Sequence, residues 1–223
     1  FLDLRKKSRP RQPINGVLVA ISIEDVLTMS RQDLTAHADA IRMRLLELHQ
    51  RLKVSFPVYA LFTKADLVAG FSEYFSYLGE GARRQVWGAT FQTTDKNKNL
   101  IGDIPNEFDQ LLVRLSEETL DRLQDEPTPQ HRVQLFGFAA QMARLKPQIH
   151  DFLNQIFEPT RYHVNASLRG FYFTSGTQQG TPNHPLIGSL AQTCVAEEVT
   201  SAAYHGACKS SIGTMLSMTV IIG

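Results

Sequence analysis

The run Val58-Tyr-Ala-Leu-Phe62 constrains the fold more than any other stretch of the chain. Five apolar or aromatic residues in succession, introduced by Pro57, offer no polar face. A strand made from them has to be buried on both sides, as the strands of parallel sheets are. The run stops at Thr63, Lys64 and Asp66, and a new amphipathic segment follows. In open α/β sheets, ligands bind just beyond the carboxyl ends of the strands, so a Thr-Lys-x-Asp there is placed to meet one. A strand that simply ends in a polar turn accounts for the same residues.

The rest of the chain repeats this grammar. Pro13-Ile-Asn-Gly16 is a turn, and Val17-Leu-Val-Ala-Ile21 is a second apolar run of strand length. Ser30 stands three residues before Asp33, an approximate capping box. Leu34, Ala38, Ile41, Leu45, Leu48 and Leu52 then recur at spacings of four and three, which puts them on one stripe of a helix. Strand, helix and strand in this order make a parallel crossover. Phe71, Tyr74, Phe75 and Leu78 predict a short helix with an aromatic core stripe, capped by Gly79. The stretch from Gly88 to Gly102 reads as a polar loop. Two long helices follow over about residues 104–157, marked by Phe108, Leu111, Leu112, Leu115 and Leu123, then by Phe138, Met142, Leu145, Ile149, Phe152 and Ile156. Thr128 is the predicted N-cap of the second and Pro129 its first residue. Pro147 is predicted to kink it. The pair reads as a helical hairpin added to the sheet. Ala166 to Phe173 is a third strand, ending in Thr174-Ser-Gly-Thr177.

Composition narrows the function classes. At 223 residues the chain can bury one sizeable core with a small appendage. A net charge of +1 points to neither nucleic acid nor a membrane surface, and the basic cluster from Arg5 to Arg11 reads as a solvated chain end. Cys194 and Cys208 lack metal-ligand spacing and fit a reducing compartment. The longest apolar stretch, Ile212 to Ile222, is interrupted by Gly213, Thr214, Ser217 and Thr219 and falls short of the roughly 18 residues a spanning helix needs. The chain opens with Phe rather than Met, so it is expected to be an internal piece of a longer protein.

Thr63-Lys-Ala-Asp66 resembles the base-reading Asn-Lys-x-Asp of P-loop GTPases, and Thr174-Ser175-Gly176 resembles the Ser-Ala-type turn that follows one strand later in that fold. The resemblance implies that Asp66 accepts two hydrogen bonds from guanine, that Lys64 covers the base, and that Ser175 and Gly176 close the pocket. Thr63 replaces the usual Asn and is expected to lose a side-chain amide that ties neighbouring loops together. No G-x-x-x-x-G-K-[ST] occurs in the chain, nor an Asp-x-x-Gly after a strand to hold magnesium. Phosphoryl transfer depends on those parts, so no catalytic residue, metal site or cofactor is assigned here. ATP or GTP with magnesium belongs, if anywhere, to an intact parent. Ser175 with His184 or His205 lacks the nucleophile elbow of a hydrolase. The expected fold is α/β, a mostly parallel sheet of P-loop GTPase-like type without its first half. The missing central strand is expected to leave one sheet edge unpaired.

Four stretches, Arg9 to Ser22, Phe56 to Leu67, Gln85-Val-Trp-Gly88 and Leu168 to Thr177, together resemble the TssM/IcmF family, the large inner-membrane subunits of bacterial type VI secretion systems, with type IVB relatives. The likeness runs from about residue 4 to 192. It implies that residues 1–192 are the C-terminal part of an NTPase-like domain on the cytoplasmic side of the inner membrane, with 193–223 a divergent tail. It also implies a structural role beside a TssL-like inner-membrane protein, a TssJ-like lipoprotein and the baseplate, with membrane attachment only through transmembrane helices of the parent. An active parent NTPase, with its P-loop upstream, is the alternative.

Overall fold

A computed structural model describes residues 13–78, 87–91, 100–158 and 167–175, residues 7 and 11, and the backbone of Met218–Ile222. The elements are β1 (Gly16–Ser22), α1 (Ile23–Thr28), α2 (Arg31–Leu52), β2 (Pro57–Thr63), a 3-10 turn (Ala65–Leu67), α3 (Phe71–Phe75), β3 (Trp87–Thr90), a second 3-10 turn (Ile101–Asp103), α4 (Ile104–Asp125), α5 (Pro129–Phe157), β4 (Ser167–Phe173) and β5 (Met218–Ile222). They form an α/β fold around one mixed sheet of order β3-β4-β2-β1-β5.

The two apolar runs behave as strands buried on both faces. β2 lies between β1 and β4 and pairs in parallel with each; Val17 faces Val58 on one side, and Phe62 faces Phe173 on the other. Alternate residues go to opposite faces. Val17, Val19, Ile21, Val58, Ala60 and Phe62 enter the large core shared with the helices, while Leu18, Tyr59, Leu61 and Tyr172 form a smaller cluster. The three predicted strands were expected to leave one sheet edge unpaired; both outer ones are paired, β1 in parallel with β5 from Gly16↔Met218 to Ala20↔Ile222 and β4 antiparallel with β3. A strand therefore lies within the tail.

α2 starts where its capping box predicts. The Ser30 hydroxyl accepts from the Asp33 N–H at 3.2 Å and donates to the Asp33 carboxylate at 2.7 Å. Ala38, Ile41, Leu45, Leu48 and Leu52 are buried as one stripe. Lys53 closes the helix in the left-handed region at φ 55°, a conformation that favours glycine.

Several expectations need correction. α3 is five residues long, shorter than its aromatic stripe suggests, and Gly79 lies outside the described residues. Gly88, Ala89 and Thr90, read as the start of a loop, belong with Trp87 to an edge strand antiparallel to β4. It can come so close because Gly170 has no side chain: a Cβ there would sit 2.7 Å from the Ala89 carbonyl oxygen. The rest of the polar stretch, residues 92–99, lies outside the described residues. Thr128 occupies the N-cap of α5 without capping through its side chain. Its N–H donates instead to Glu126 at 2.9 Å, which holds that carboxyl below its usual range. Pro147 lies inside α5, which runs as one helix from Pro129 to Phe157, with Leu145 and Ile149 buried on either side of it.

The helical hairpin over 104–157 is present as α4 and α5, but it is more than an addition. α5 packs on α2, α3 and α4, and its residues Phe138, Met142, Leu145, Ile149 and Phe152 belong to the main core. It is also the helix that delivers the chain to β4. Phe138 meets Phe71, Tyr74, Phe75 and Trp87, with ring centroids 5.0–5.9 Å apart. Fully burying one such ring stabilises the fold by about 1.5–3 kcal/mol, so this junction anchors α3 and β3 to α5. Arg122 locks it from outside. Its guanidinium lies 3.5 Å from the Tyr74 ring centroid and 4.3 Å from that of Tyr77, bonds Glu118, and donates to the Tyr74 carbonyl at 3.0 Å. The Tyr74 hydroxyl donates in turn to the Leu115 carbonyl at 3.0 Å.

Candidate functional site

Because β1, β2 and β4 are parallel neighbours, their carboxyl ends lie side by side, and three polar turns follow from adjacent strands. Ser22 ends β1 opposite Thr63, which ends β2. Thr174 and Ser175 follow β4, with Thr174 buried. Backbone hydrogen bonds join the last two turns directly. The Thr174 N–H donates to the Phe62 carbonyl at 2.8 Å, and the Ala65 N–H donates to the Thr174 carbonyl at 3.0 Å. The two motifs singled out from the sequence are thus brought together as one rigid ledge. Gly176, the last member of the predicted set, lies outside the described residues.

Each side chain has a distinct situation. The Thr63 hydroxyl donates to the Ile21 carbonyl at 3.3 Å, which joins the end of β2 to β1. Lys64 adopts the left-handed conformation, φ 59° and ψ 37°, at the sharp exit from β2. Its ammonium is held by Glu24 at 2.6 Å, and that hydrogen bond raises its pKa above the ordinary lysine value. Lys64 is therefore tied to α1 in this arrangement. Asp66 sits in the 3-10 turn, with Oδ1 buried and without a hydrogen-bond partner among the described residues. The Ser22 hydroxyl is also buried and unpartnered among them. A buried carboxylate oxygen without a donor is costly, and the chemistry it suits is a ligand carrying N–H or O–H groups.

Ser22 and Glu24 were not singled out in the sequence. Ser22, the first polar residue after the β1 run, repeats the signal that marked Thr63. Glu24 gives no such signal, because its partner is 40 residues away.

A second feature lies elsewhere. A shallow groove of about 450 Å³ runs between α4 and α5, with Leu112, Ser116, Leu120, Phe136 and Ala140 among its lining. It is apolar and open, and none of its lining residues belongs to the strand-end ledge.

Residues 1–217 match the family model described as the IcmF-related N-terminal domain. Over 196 residues the chain is 46% identical to the type VI secretion system component TssM1 of Pseudomonas aeruginosa strain PAO1, a stretch that covers 86% of this chain and 18% of that protein. The chain thus spans under a fifth of that relative's length. The family match continues past residue 192, where the resemblance was expected to end. No solved structure matches the chain.

Proposed function

The chain belongs to the IcmF-related family, and from that premise we propose that it is an assembly module of a type VI secretion membrane complex. The observation that carries this reading is the contrast between a closed core and the apolar side chains left outside it on α4 and α5. Val113, Leu120, Val133 and Phe136 are 54%, 66%, 72% and 71% exposed. Scattered exposed apolar residues are ordinary, but these four stand on the same two helices, and Leu120 and Phe136 both line the groove between them, which favours a contact surface there. In this reading the chain is part of an NTPase-like domain on the cytoplasmic side of the inner membrane. Its contacts are a TssL-like subunit and the baseplate, and a TssJ-like lipoprotein is reached through other parts of the parent. Among the described residues no helix is long and apolar enough to cross a membrane. Affinity capture with the intact parent protein tests the proposal. Enrichment of sister inner-membrane or baseplate subunits is expected, and enrichment of neither would count against it.

A second reading is favoured by the unpartnered Oδ1 of Asp66. The fold would be of P-loop GTPase type, with Asp66 reading a base, Lys64 released from Glu24 to cover it, and Thr63, Ser175 and Gly176 framing the pocket. The phosphate site and magnesium would come from upstream in the parent. Base contacts of about 0.5–1.5 kcal/mol each barely offset the lost translational freedom. This chain alone is therefore expected to bind ATP or GTP no tighter than about millimolar. Fluorescent-nucleotide titration decides it: micromolar, magnesium-dependent binding abolished by Asp66→Ala would reveal a phosphate site within these residues.

A further inference from the structure

We infer that Glu24 regulates the strand-end ledge by competing with its ligand for Lys64, so that a base binds only when the ion pair between Glu24 and Lys64 opens. The inference rests on the base-reading interpretation above and adds a control to it.

Two observations meet at this end of the sheet. Asp66 has a buried carboxylate oxygen, Oδ1, that receives no hydrogen bond among the described residues. Lys64, the nearest cation to it in the sequence, is engaged elsewhere: its ammonium bonds the Glu24 carboxylate at 2.6 Å. Several carboxylates act on that one charge. The hydrogen bond from Lys64 to Glu24, and then the Glu24 charge, raise the Lys64 pKa most, and the charges of Asp25 and Asp66 add to it. One lysine thus serves rival acids, and it is held by the acid on α1 rather than by the one at the candidate site. A ligand that needs the lysine stem over its ring has to take Lys64 from Glu24.

The local structure suits such an exchange. α1 begins directly after β1 and packs against the 3-10 turn that carries Asp66. Lys64 joins β2 to that turn at φ 59° and ψ 37°, and its long side chain can move while this backbone stays in place. The side chains of Lys64 and Glu24 are 54% and 50% exposed, so the pair can open without disturbing the core. Exposure also bounds the effect. An ion pair in contact with water shifts an equilibrium by up to about fivefold, and salt weakens it. A ligand that requires free Lys64 is weakened in proportion to the fraction of molecules in which the lysine is free. Removing the Glu24 charge should therefore tighten binding. An ion pair that only braces the turn predicts the opposite sign, because breaking it would loosen the residues that frame the base.

The test is titration of the full-length parent protein with a fluorescent GTP analogue and magnesium. Glu24→Gln is expected to tighten binding about two- to fivefold. The gain should disappear in the Lys64→Ala background, and it should fall toward nothing in 1 M salt, where charges are screened beyond about 3 Å. Unchanged or weaker binding by Glu24→Gln would overturn the inference. So would an equal gain in the Lys64→Ala background, or a gain indifferent to salt. Asp66→Ala separates the two claims. If it abolishes binding while Glu24→Gln changes nothing, the control by Glu24 fails and the base-reading site stands. If neither wild type nor Glu24→Gln binds the analogue, the base-reading site fails and the inference falls with it.

Discussion

Replacing the buried Gly70 by alanine should damage this fold far more than its place in a short turn suggests. Gly70 enters α3 at φ 89°, a left-handed conformation, and an L residue there costs about 1–2 kcal/mol. Space is the second term. A Cβ would lie 2.4 Å from the Gln134 carbonyl oxygen and 2.9 Å from the Phe138 Cβ, both on α5. Neither neighbour is the loose end of a flexible side chain, so α3 has to move off α5, and overpacking of this kind costs about 1–3 kcal/mol. Together the two terms give roughly 2–5 kcal/mol. Gly137→Ala is the control. Gly137 lies within α5, and a methyl group added there would meet nothing within 4 Å, so the change should stabilise by up to about 1 kcal/mol through helix propensity alone. Urea unfolding followed by fluorescence suits the comparison, because the chain has one tryptophan, and Trp87 packs on Phe138. With a slope of about 2–3 kcal/mol/M, Gly70→Ala should lower the midpoint by roughly 1 M or more, while Gly137→Ala raises it slightly. Equal midpoints for Gly70→Ala and wild type would refute the close approach of α3 to α5.

Two further predictions follow from local geometry. Burial raises the Tyr74 pKa well above the ordinary tyrosine value, against the opposing pull of Arg122. The folded state therefore holds this proton more tightly: the contribution is complete below about pH 10, the unfolded value, and is lost as pH rises toward the folded one. Urea midpoints measured from pH 8 to 11 should fall at the alkaline end, and less steeply in Tyr74→Phe; identical slopes in the two proteins would contradict the assignment. Lys53→Gly should stabilise by about 1 kcal/mol, because Lys53 ends α2 at φ 55°, where glycine carries no side-chain penalty; the same unfolding assay checks it.

The parts of the fold that were legible are those in which one local pattern dominates. The unbroken run Val58–Phe62 has only one environment in which five apolar residues are all satisfied, and it occupies the middle of the sheet between β1 and β4. The Leu-rich spacing of α2 and the two long stripes of α4 and α5 likewise determine which faces are buried. β3 was not legible, because a four-residue edge strand containing Gly88 is stabilised by pairing with β4 and has no periodicity of its own. β5 was read only as an interrupted apolar run, and its role depends on the free edge of β1. At the candidate site the sequence marked Thr63, Lys64, Asp66 and Ser175 because polar residues interrupt apolar strands. It did not reveal that Lys64 is claimed by Glu24, since an ion pair spanning 40 residues has no local signature. Nor did it reveal that Thr63 would tie β2 to β1, a bond that depends on the register placing Thr63 beside the end of β1.

Hydrogen–deuterium exchange on the full-length protein, with and without its sister subunits, tests the assembly role most directly. The account predicts that adding the subunits slows exchange in α4 and α5, with the largest change in peptides spanning residues 113–120 and 133–140. A domain whose exchange is unchanged by every subunit, while ATP or GTP protects residues 63–66 and 174–175, would contradict it.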